Sequence, residues 1–209
     1  MSDLAGDAEK SPQSKIALRV RLLTARRSLT DAARAAAAAQ IQNQTLALVR
    51  RAAPNTIAAY VPVGSEPGGP DLPRLLAGTL PPGGRLLLPV LLPDGDLDWS
   101  PYSSRLLRGP RGLLEPDGPR LGVAAIREAD LVLVPALAVG RDGTRMGRGG
   151  GSYDRALARL PAPGPLVVAL LHDGEDVDEV PAEPHDRRVG AVITPTGGFA
   201  LRPGPEWTN

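Results

Sequence analysis

Several residue types are absent or scarce in this chain, and each absence excludes a class of site. The sequence contains no cysteine, which excludes disulfide bonds, thiolate metal sites and a cysteine nucleophile. Aromatic residues make up only 3%, so the core must be built from Leu, Val, Ala and Ile. The net charge is +1, which gives no indication of bulk binding to nucleic acid or membranes. No apolar run approaches the ~20 residues that span a bilayer, because Pro89, Pro93 and Pro135 interrupt the longest ones.

The length of 209 residues suits one domain with one sizeable core. The first 14 residues are polar and acidic and lack the apolar centre of a signal peptide, so we expect a disordered leader over residues 1–14. Residues 15–200 are predicted to form the domain, and residues 201–209 a C-terminal tail. We expect a soluble, cytoplasmic monomer without nucleic-acid or membrane partners.

Lysine is also rare, since Lys10 and Lys15 are the only lysines among the 24 basic residues. The excess of Arg, together with much Ala, Gly and Pro, indicates a compositional bias, so a single Arg is weak evidence for a site. Lys15 is correspondingly more informative.

The pattern of apolar residues predicts two helices followed by alternating strands and helices. The first helix is predicted over residues 15–27, with Ile16, Val20 and Leu23 at helical spacing, and the second over residues 31–51, with Thr30 as a candidate N-cap. Strands are predicted over residues 56–61, 85–92, 97–102, 131–134, 166–171 and 189–193, and short helices over residues 71–77 and 155–160.

This alternation predicts an α/β fold: a single three-layer domain with a mostly parallel central sheet, helices on both faces and a helical N-terminal segment. In such sheets ligands bind beyond the carboxyl ends of the strands. We therefore expect the loops after Val61, Val134 and Leu171 to lie near one site.

The most informative segment is R-M-G-R-G-G-G-S-Y-D-R at residues 145–155, which we call the glycine segment. Glycines let backbone N–H groups approach an anion closely, and a helix N-terminus adds partial positive charge. Arg145 and Arg148 add permanent charge and forked donors that match phosphate oxygens. The segment fits neither the dinucleotide fingerprint nor the P-loop, and a mobile surface turn is the alternative. Our interpretation is a phosphate-binding loop.

Lys15, Arg19 and Glu66 are further candidates for ligand binding. Lys15 and Arg19 lie one helical turn apart and project from one helix face, where they would complete a polyphosphate clamp if that helix packs near the glycine segment. A solvated basic face is the alternative. Glu66 lies in a Gly/Pro-rich turn after a strand, where it can reach a ligand N–H group, or it is an ordinary turn acid.

Asp186 is a candidate metal ligand. It follows His185 and precedes the last predicted strand of the domain, and Mg²⁺ prefers carboxylate and phosphate oxygens. A plain loop acid is the alternative. His172 and Asp173 have a similar placement and carry less weight. No Ser-His-Asp arrangement and no His-rich metal spacing can be argued from the sequence.

Several segments together resemble one enzyme family. They are K-I-A-L-R at 15–19 with R-R-S-L-T at 26–30, V-P-V-G-S-E at 61–66, L-E-P at 114–116, L-V-P-A-L-A at 133–138, the glycine segment, P-H-D at 184–186 and V-I-T at 192–194. In this order they resemble the motifs of the 5-formyltetrahydrofolate cyclo-ligases, also called methenyltetrahydrofolate synthetases. The resemblance implies an ATP- and Mg²⁺-dependent enzyme that phosphorylates the formyl oxygen of 5-formyltetrahydrofolate. Ring closure by N10 then gives 5,10-methenyltetrahydrofolate, ADP and phosphate.

The resemblance also implies roles for individual residues. The residues expected to contact ATP are Lys15, Arg19, Arg145, Gly147, Arg148, Gly149, Gly150, Gly151, Ser152 and Tyr153. Arg148 is the expected catalytic residue. The expected substrate-binding residues are Val61 and Glu66, and the expected Mg²⁺ ligands, directly or through water, are Asp154 and Asp186. Trp99 and Tyr102 are candidates for stacking on the rings of the folate.

The sequence departs from the family pattern at several positions. Ser152 replaces the first aromatic residue of the usual Y-Y-D, Gly150 stands where some members have Lys, and Ala136 and Val139 replace Gly and Phe. Because of Ser152, an ATP-dependent enzyme that acts on another small molecule is a second hypothesis. A catalytically silent relative that binds folate or RNA is a third possibility, although a net charge of +1 and six aromatic residues disfavour RNA.

Overall fold

The computed structural model describes residues 12–183 and 186–203. Most of the predicted leader and of the predicted C-terminal tail lies outside these residues, as does His185, so the division of the chain into leader, domain and tail stays a prediction. Within the described ranges, no helix is long and apolar enough to cross a membrane.

The described residues form the α-helices α1 Pro12–Ser28, α2 Asp31–Ala52, α3 Leu72–Ala77 and α4 Ser152–Leu157, and 3₁₀ helices at Pro110–Gly112 and Val123–Glu128. Thr30 caps α2 as predicted: its Oγ1 accepts a hydrogen bond of 3.1 Å from Ala33 N, which satisfies a free N–H group at the helix start. The helix ends where Ala53 adopts a left-handed conformation directly before Pro54, which has no N–H group to continue it.

Twelve strands follow one another in the described chain: β1 Thr56–Ala58, β2 Arg85–Leu91, β3 Leu97–Pro101, β4 Leu106–Arg108, β5 Leu114–Pro116, β6 Leu131–Pro135, β7 Ala138–Gly140, β8 Arg145–Met146, β9 Leu166–Leu170, β10 Asp176–Val177, β11 Ala191–Thr194 and β12 Gly198–Leu201. The main sheet has the order β12-β11-β9-β6-β1-β2-β3. Its five inner strands are parallel, and the edge strands β12 and β3 are antiparallel to their neighbours. A small sheet has the order β10-β7-β8, and β4 and β5 form a hairpin.

Side chains alternate across the main sheet, so each of its faces has its own core. Leu131 and Leu133 of β6 lie in a first core with α2 and α3, whereas Val132 and Val134 lie in a second core with α4 and the 3₁₀ helix Val123–Glu128. Each such fully buried side chain contributes roughly 1.5–3 kcal/mol. The predicted α/β fold with a mostly parallel sheet and helices on both faces is confirmed.

The helix α1 buries a different face from the one predicted. Ile16 and Val20, which were expected on the apolar side, are 57% and 59% exposed. Lys15, Leu22 and Arg26 are buried instead. Leu22 packs on the small sheet, and the two cations meet carboxylates of the body of the protein, so ion pairing decides which face turns inward.

The apolar run at residues 131–139, in which a strand was predicted over residues 131–134, is divided between two strands. β6 ends at Pro135, β7 begins at Ala138, and the chain then turns back as β8, which pairs with β7. Arg145 and Met146 are therefore strand residues, and α4 begins three residues before the predicted helix at 155–160. Hydrophobicity alone does not reveal this reversal, because the residues on both sides of it are buried.

Candidate active site

A cavity of about 470 Å³ opens at the carboxyl ends of β1, β2 and β6, with α1 and the glycine segment contributing to its wall. One part of the wall carries charged side chains. Another part, which we call the leucine wall, is formed by Leu91 and Leu97, which are paired across β2 and β3, and by Leu113. The loops after β1 and β9 touch at this edge, where His172 Nε2 lies 3.0 Å from the Ser65 carbonyl oxygen. The predicted meeting of loops beyond the strand ends is confirmed.

The glycine segment forms one side of the cavity, and every residue from Arg145 to Asp154 lines it. Gly149 and Gly151 have φ of +97° and +68°, which residues with a Cβ atom rarely adopt. Arg19 Nε donates a hydrogen bond of 3.1 Å to the Gly147 carbonyl, so a side chain of α1 binds the backbone of the segment. The structure thus brings Arg19 and the glycine segment together, which was the condition for Lys15 and Arg19 to complete a polyphosphate clamp.

Ser152, the departure from the family pattern, has a structural contact. Its Oγ donates a hydrogen bond of 2.5 Å to the Gly95 carbonyl, and Arg155 Nη2 donates to the same oxygen at 2.6 Å. Gly95 lies in the turn between β2 and β3. The serine therefore ties the start of α4 to that turn while it also lines the cavity.

Arg145 is buried against the segment that follows it, with 3% of its surface exposed. Its Nη2 donates a hydrogen bond of 2.7 Å to Asp154 Oδ1, and the guanidinium carbon lies 5.9 Å from the centre of the Tyr153 ring. Its Nε has no hydrogen-bond partner among the described residues. Burial raises the pKa of the Tyr153 phenol and Glu66 raises it further, so this hydroxyl stays protonated and able to donate.

Lys15 is 4% exposed and joins α1 to the segment after β10. Its Nζ lies 2.9 Å from Glu183 Oε2 and 2.6 Å from Asp186 Oδ2. The sequence singled out Lys15 and Asp186 but not Glu183, because nothing in its Pro-rich surroundings distinguishes it from an ordinary loop acid.

Arg148 and Glu66 contact each other, although the sequence assigned them to different ligands. Arg148 Nη2 lies 3.2 Å from Glu66 Oε1, and the two side chains are 56% and 11% exposed. Glu66 Oε2 also accepts a hydrogen bond of 3.0 Å from Val63 N, which fixes the carboxylate at the cavity wall. Since a pair with one exposed member contributes only about 0–1 kcal/mol, Arg148 can exchange this partner for a more highly charged anion.

Arg26 is a lining cation for which the sequence predicted no role. It is 2% exposed, its Nε and Nη2 lie 2.6 Å and 2.8 Å from the two oxygens of Glu175, and it also donates to the Ala136 carbonyl. Glu175 Oε2 accepts a further hydrogen bond of 2.8 Å from His172 N. This bidentate pair fixes α1 to the loops after β6 and β9, on which the cavity depends.

Three other residues that were predicted to contact a ligand do not line the cavity. Trp99 is fully buried in the second core, so the prediction that its ring stacks on a ligand is wrong. Tyr102 is half-buried and packs against the first core. Val61 is 7% exposed, lies in the first core, and does not belong to the described residues that line the cavity.

Asp154 and Asp186 both line the cavity, each beside a cation. Among residues 12–183 and 186–203, no three His, Cys, Asp or Glu side chains come together as metal ligands. Mg²⁺ is commonly held by one or two carboxylates together with substrate phosphates and water. The two acids therefore fit a Mg²⁺ ion that arrives with a polyphosphate.

The fold and the cavity together define a class of protein. A mostly parallel sheet whose strand ends carry a cationic, glycine-rich loop beside an apolar wall is typical of α/β enzymes that bind a phosphorylated ligand.

Comparison with known sequences narrows this class to one family. The model of the 5-formyltetrahydrofolate cyclo-ligase family matches residues 11–195. A 5-formyltetrahydrofolate cyclo-ligase from Mycolicibacterium smegmatis is 44% identical over 199 residues, which cover 92% of this chain and 100% of that protein. One from Escherichia coli (strain K12) is 31% identical over 146 residues, which cover 68% of this chain and 79% of that protein. The chain belongs to the 5-formyltetrahydrofolate cyclo-ligase family of enzymes.

Solved structures support the fold. An NMR structure of 5,10-methenyltetrahydrofolate synthetase from Aquifex aeolicus superposes with a TM-score of 0.69 at 24% identity, covering 90% of this chain and 91% of that one. A 5,10-methenyltetrahydrofolate synthetase from Mycoplasma pneumoniae gives a TM-score of 0.66 at 20% identity, covering 85% and 96%.

Proposed function

We propose that this enzyme converts 5-formyltetrahydrofolate to 5,10-methenyltetrahydrofolate with ATP and Mg²⁺, and releases ADP and phosphate. The observation that carries the proposal is one shared cavity, in which the cationic glycine segment, Glu66 and a leucine wall face the same space. A polyphosphate needs the cationic glycine segment. A weakly polar ring system with N–H groups needs Glu66 and the leucine wall.

The proposed chemistry removes the low reactivity of the formyl group on N5. The formyl oxygen attacks the γ-phosphorus of ATP, the bond to the ADP oxygen breaks, and ADP leaves. N10 then attacks the activated formyl carbon and loses its proton to solvent. The carbon–oxygen bond breaks, so the phosphate leaves with the former formyl oxygen and the methenyl ring remains. Phosphoryl transfer of this kind asks the protein mainly for positioning and charge neutralisation.

We assign charge neutralisation to Arg148, Lys15, Arg19 and the N–H groups of residues 147–153. Arg148 is the proposed catalytic residue, because it is the most exposed of these cations and would leave Glu66 for the phosphoryl group during transfer. The released Glu66 carboxylate, held by Val63 N, would then accept hydrogen bonds from N–H groups of the pterin ring. The 3.2 Å contact between Arg148 and Glu66 supports this assignment, because the two proposed roles require the two side chains to be close to each other.

Asp154 and Asp186 are the proposed carboxylates for Mg²⁺, which would supply additional neutralisation of the phosphate oxygens. Arg145 orients Asp154 through its 2.7 Å hydrogen bond, and Lys15 orients Asp186 through its 2.6 Å contact. We also propose that the enzyme acts as a cytoplasmic monomer. Light scattering of the purified protein would test the monomer.

The experiment that tests the proposal mixes purified protein, Mg-ATP and 5-formyltetrahydrofolate and follows the absorbance of the methenyl product. The same assay is run on Arg148→Ala and on Arg141→Ala. Arg141 is the matched control, because its side chain is 80% exposed in a surface pair with Asp178. We expect Arg148→Ala to lose about a hundredfold in kcat/KM, the usual effect of removing one stabilising donor, with an unchanged melting temperature. Arg141→Ala should match the wild type.

An absence of methenyl product at high wild-type enzyme concentration would refute the proposed reaction. Equal kcat/KM in Arg148→Ala and wild type would show that Arg148 is not catalytic. A heavy oxygen isotope in the formyl group provides a second readout, because the proposed route transfers this oxygen to the released phosphate.

A further inference from the structure

The tip of the β4–β5 hairpin carries an arginine that the proposed reaction does not use. Arg111 lines the same cavity as the glycine segment, and so do Leu113 of the hairpin and Leu91 at the end of β2. The hairpin is held against β2, because Leu91 N donates a hydrogen bond of 2.9 Å to Glu115 Oε1. Arg111 is therefore presented to the cavity from the side that carries the leucine wall.

Arg111 differs from the other cations of the cavity in its lack of a partner. Each of the others has an ion pair or a hydrogen bond: Lys15, Arg19, Arg26, Arg145 and Arg148. Within the part of the chain that the structure describes, Arg111 has neither. Its guanidinium can bind a ligand without first losing a contact in the protein.

The backbone at Arg111 is unfavourable for a residue with a side chain. Its φ of 57° and ψ of 20° are left-handed, and the following Gly112 also has a positive φ of 75°. Gly or Asn adopts this conformation with less strain, so the turn itself gains nothing from an arginine. Strained residues of this kind are concentrated at functional sites. What this position adds to the cavity is the guanidinium group.

We infer that Arg111 is a specificity residue that binds a carboxylate on the tail of the substrate. This inference rests on the proposed function. Reduced folates carry a glutamate group, which an aminobenzoyl ring separates from the reacting pterin. The aminobenzoyl ring suits the leucine wall, and the carboxylates at the end of the tail need a cation with free donors. The planar, forked guanidinium of Arg111 matches a carboxylate with two parallel hydrogen bonds.

The test compares two substrates, 5-formyltetrahydrofolate and 5-formyltetrahydropteroate, which lacks the glutamate group. Both are assayed with the wild type, with Arg111→Asn and with Arg108→Asn. Asn tolerates the left-handed backbone, so the turn is retained while the charge is lost. Arg108 is the matched control, since it is an exposed arginine of the same hairpin and the described lining of the cavity does not include it.

We expect Arg111→Asn to raise the KM for 5-formyltetrahydrofolate about tenfold, which corresponds to ~1.4 kcal/mol. The KM for the pteroate, the KM for ATP, kcat and the melting temperature should stay at wild-type values, and Arg108→Asn should change none of them. Arg111→Lys should restore part of the lost affinity, because it keeps the charge but not the fork.

If Arg111→Asn raises the KM for both substrates equally, with or without a lower melting temperature, Arg111 has a structural role and the inference is overturned. A rise in the KM for ATP alone would assign Arg111 to the nucleotide and overturn it as well. A wild-type enzyme that makes no methenyl product would refute the proposed function. If the wild type makes the product and Arg111→Asn leaves the KM for 5-formyltetrahydrofolate unchanged, only the inference about Arg111 is overturned.

Discussion

Replacing Arg26 by alanine should destabilise this protein far more than removing an arginine from an exposed ion pair. Arg26 and Glu175 are 2% and 3% exposed, and they share two nitrogen–oxygen contacts of 2.6 Å and 2.8 Å. Alanine at position 26 leaves the Glu175 carboxylate buried without its counter-charge and the Ala136 carbonyl without its donor. Breaking a buried pair by removing one partner costs about 3–5 kcal/mol.

The chain offers a matched control for this variant in Arg85→Ala. Arg85 and Glu128 also form a close pair, at 2.7 Å, but their side chains are 46% and 54% exposed. Loss of an exposed pair costs only ~0–1 kcal/mol. Urea unfolding followed by circular dichroism at neutral pH measures both free energies of unfolding. Since domains of this kind are stable by about 5–15 kcal/mol, the loss in Arg26→Ala should be a large fraction of the total.

The double variant Arg26→Ala with Glu175→Ala separates the ion pair from the packing around it. It should be less destabilised than the sum of the two single variants, because it leaves no unpaired buried charge. Equal losses of unfolding free energy in Arg26→Ala and Arg85→Ala would contradict a stabilising role of the buried pair. Simple addition of the effects of Arg26→Ala and Glu175→Ala would contradict it as well.

Two further predictions concern local interactions. Thr30→Ala should cost about 1 kcal/mol of unfolding free energy in the same urea assay, because it removes the cap of α2. Thr30→Ser keeps the hydroxyl and should be near wild type. Equal losses in the two variants would show that the hydroxyl does not cap the helix. Burial alone would raise the pKa of Asp96, but hydrogen bonds from Arg159 and Leu97 N outweigh it and lower the pKa below its usual value. The Asp96 carboxylate therefore stabilises the fold above about pH 4, and this contribution is lost as the pH falls further. Asp96→Asn should be less stable than wild type at neutral pH, and the difference should narrow below about pH 4. A difference that does not change with pH would contradict the assignment.

The sequence predicted those features whose signals are local. The cap at Thr30 and the break before Asp31 are adjacent residues, and the inner strands are short apolar runs between Pro- and Gly-rich turns. The glycine segment carries its arginines and glycines in consecutive positions. Their common presence in one cavity therefore follows from chain connectivity, without knowledge of distant contacts.

The helix α1 shows where a local pattern was not sufficient. Helical periodicity favoured Ile16 and Val20 as the buried face, but the structure buries Lys15 and Arg26. The reason lies far along the chain, because Arg26 meets a carboxylate 149 residues away. A buried charge is tolerated only when such a partner is present, and the periodicity of one helix contains no information about it.

By itself the sequence determined the two long helices, the strands of the mostly parallel sheet other than β12, and the cationic loop at the strand ends, because each depends on neighbouring residues. The short strands β4, β5, β7, β8 and β10 and the edge strand β12 were not predicted. Only the tertiary structure decided which charges meet. It paired Arg26 with Glu175 and Arg148 with Glu66, and it presented Arg111 to the cavity from a separate hairpin. Electrostatic contacts depend on distance through space, and separation along the chain does not encode that distance.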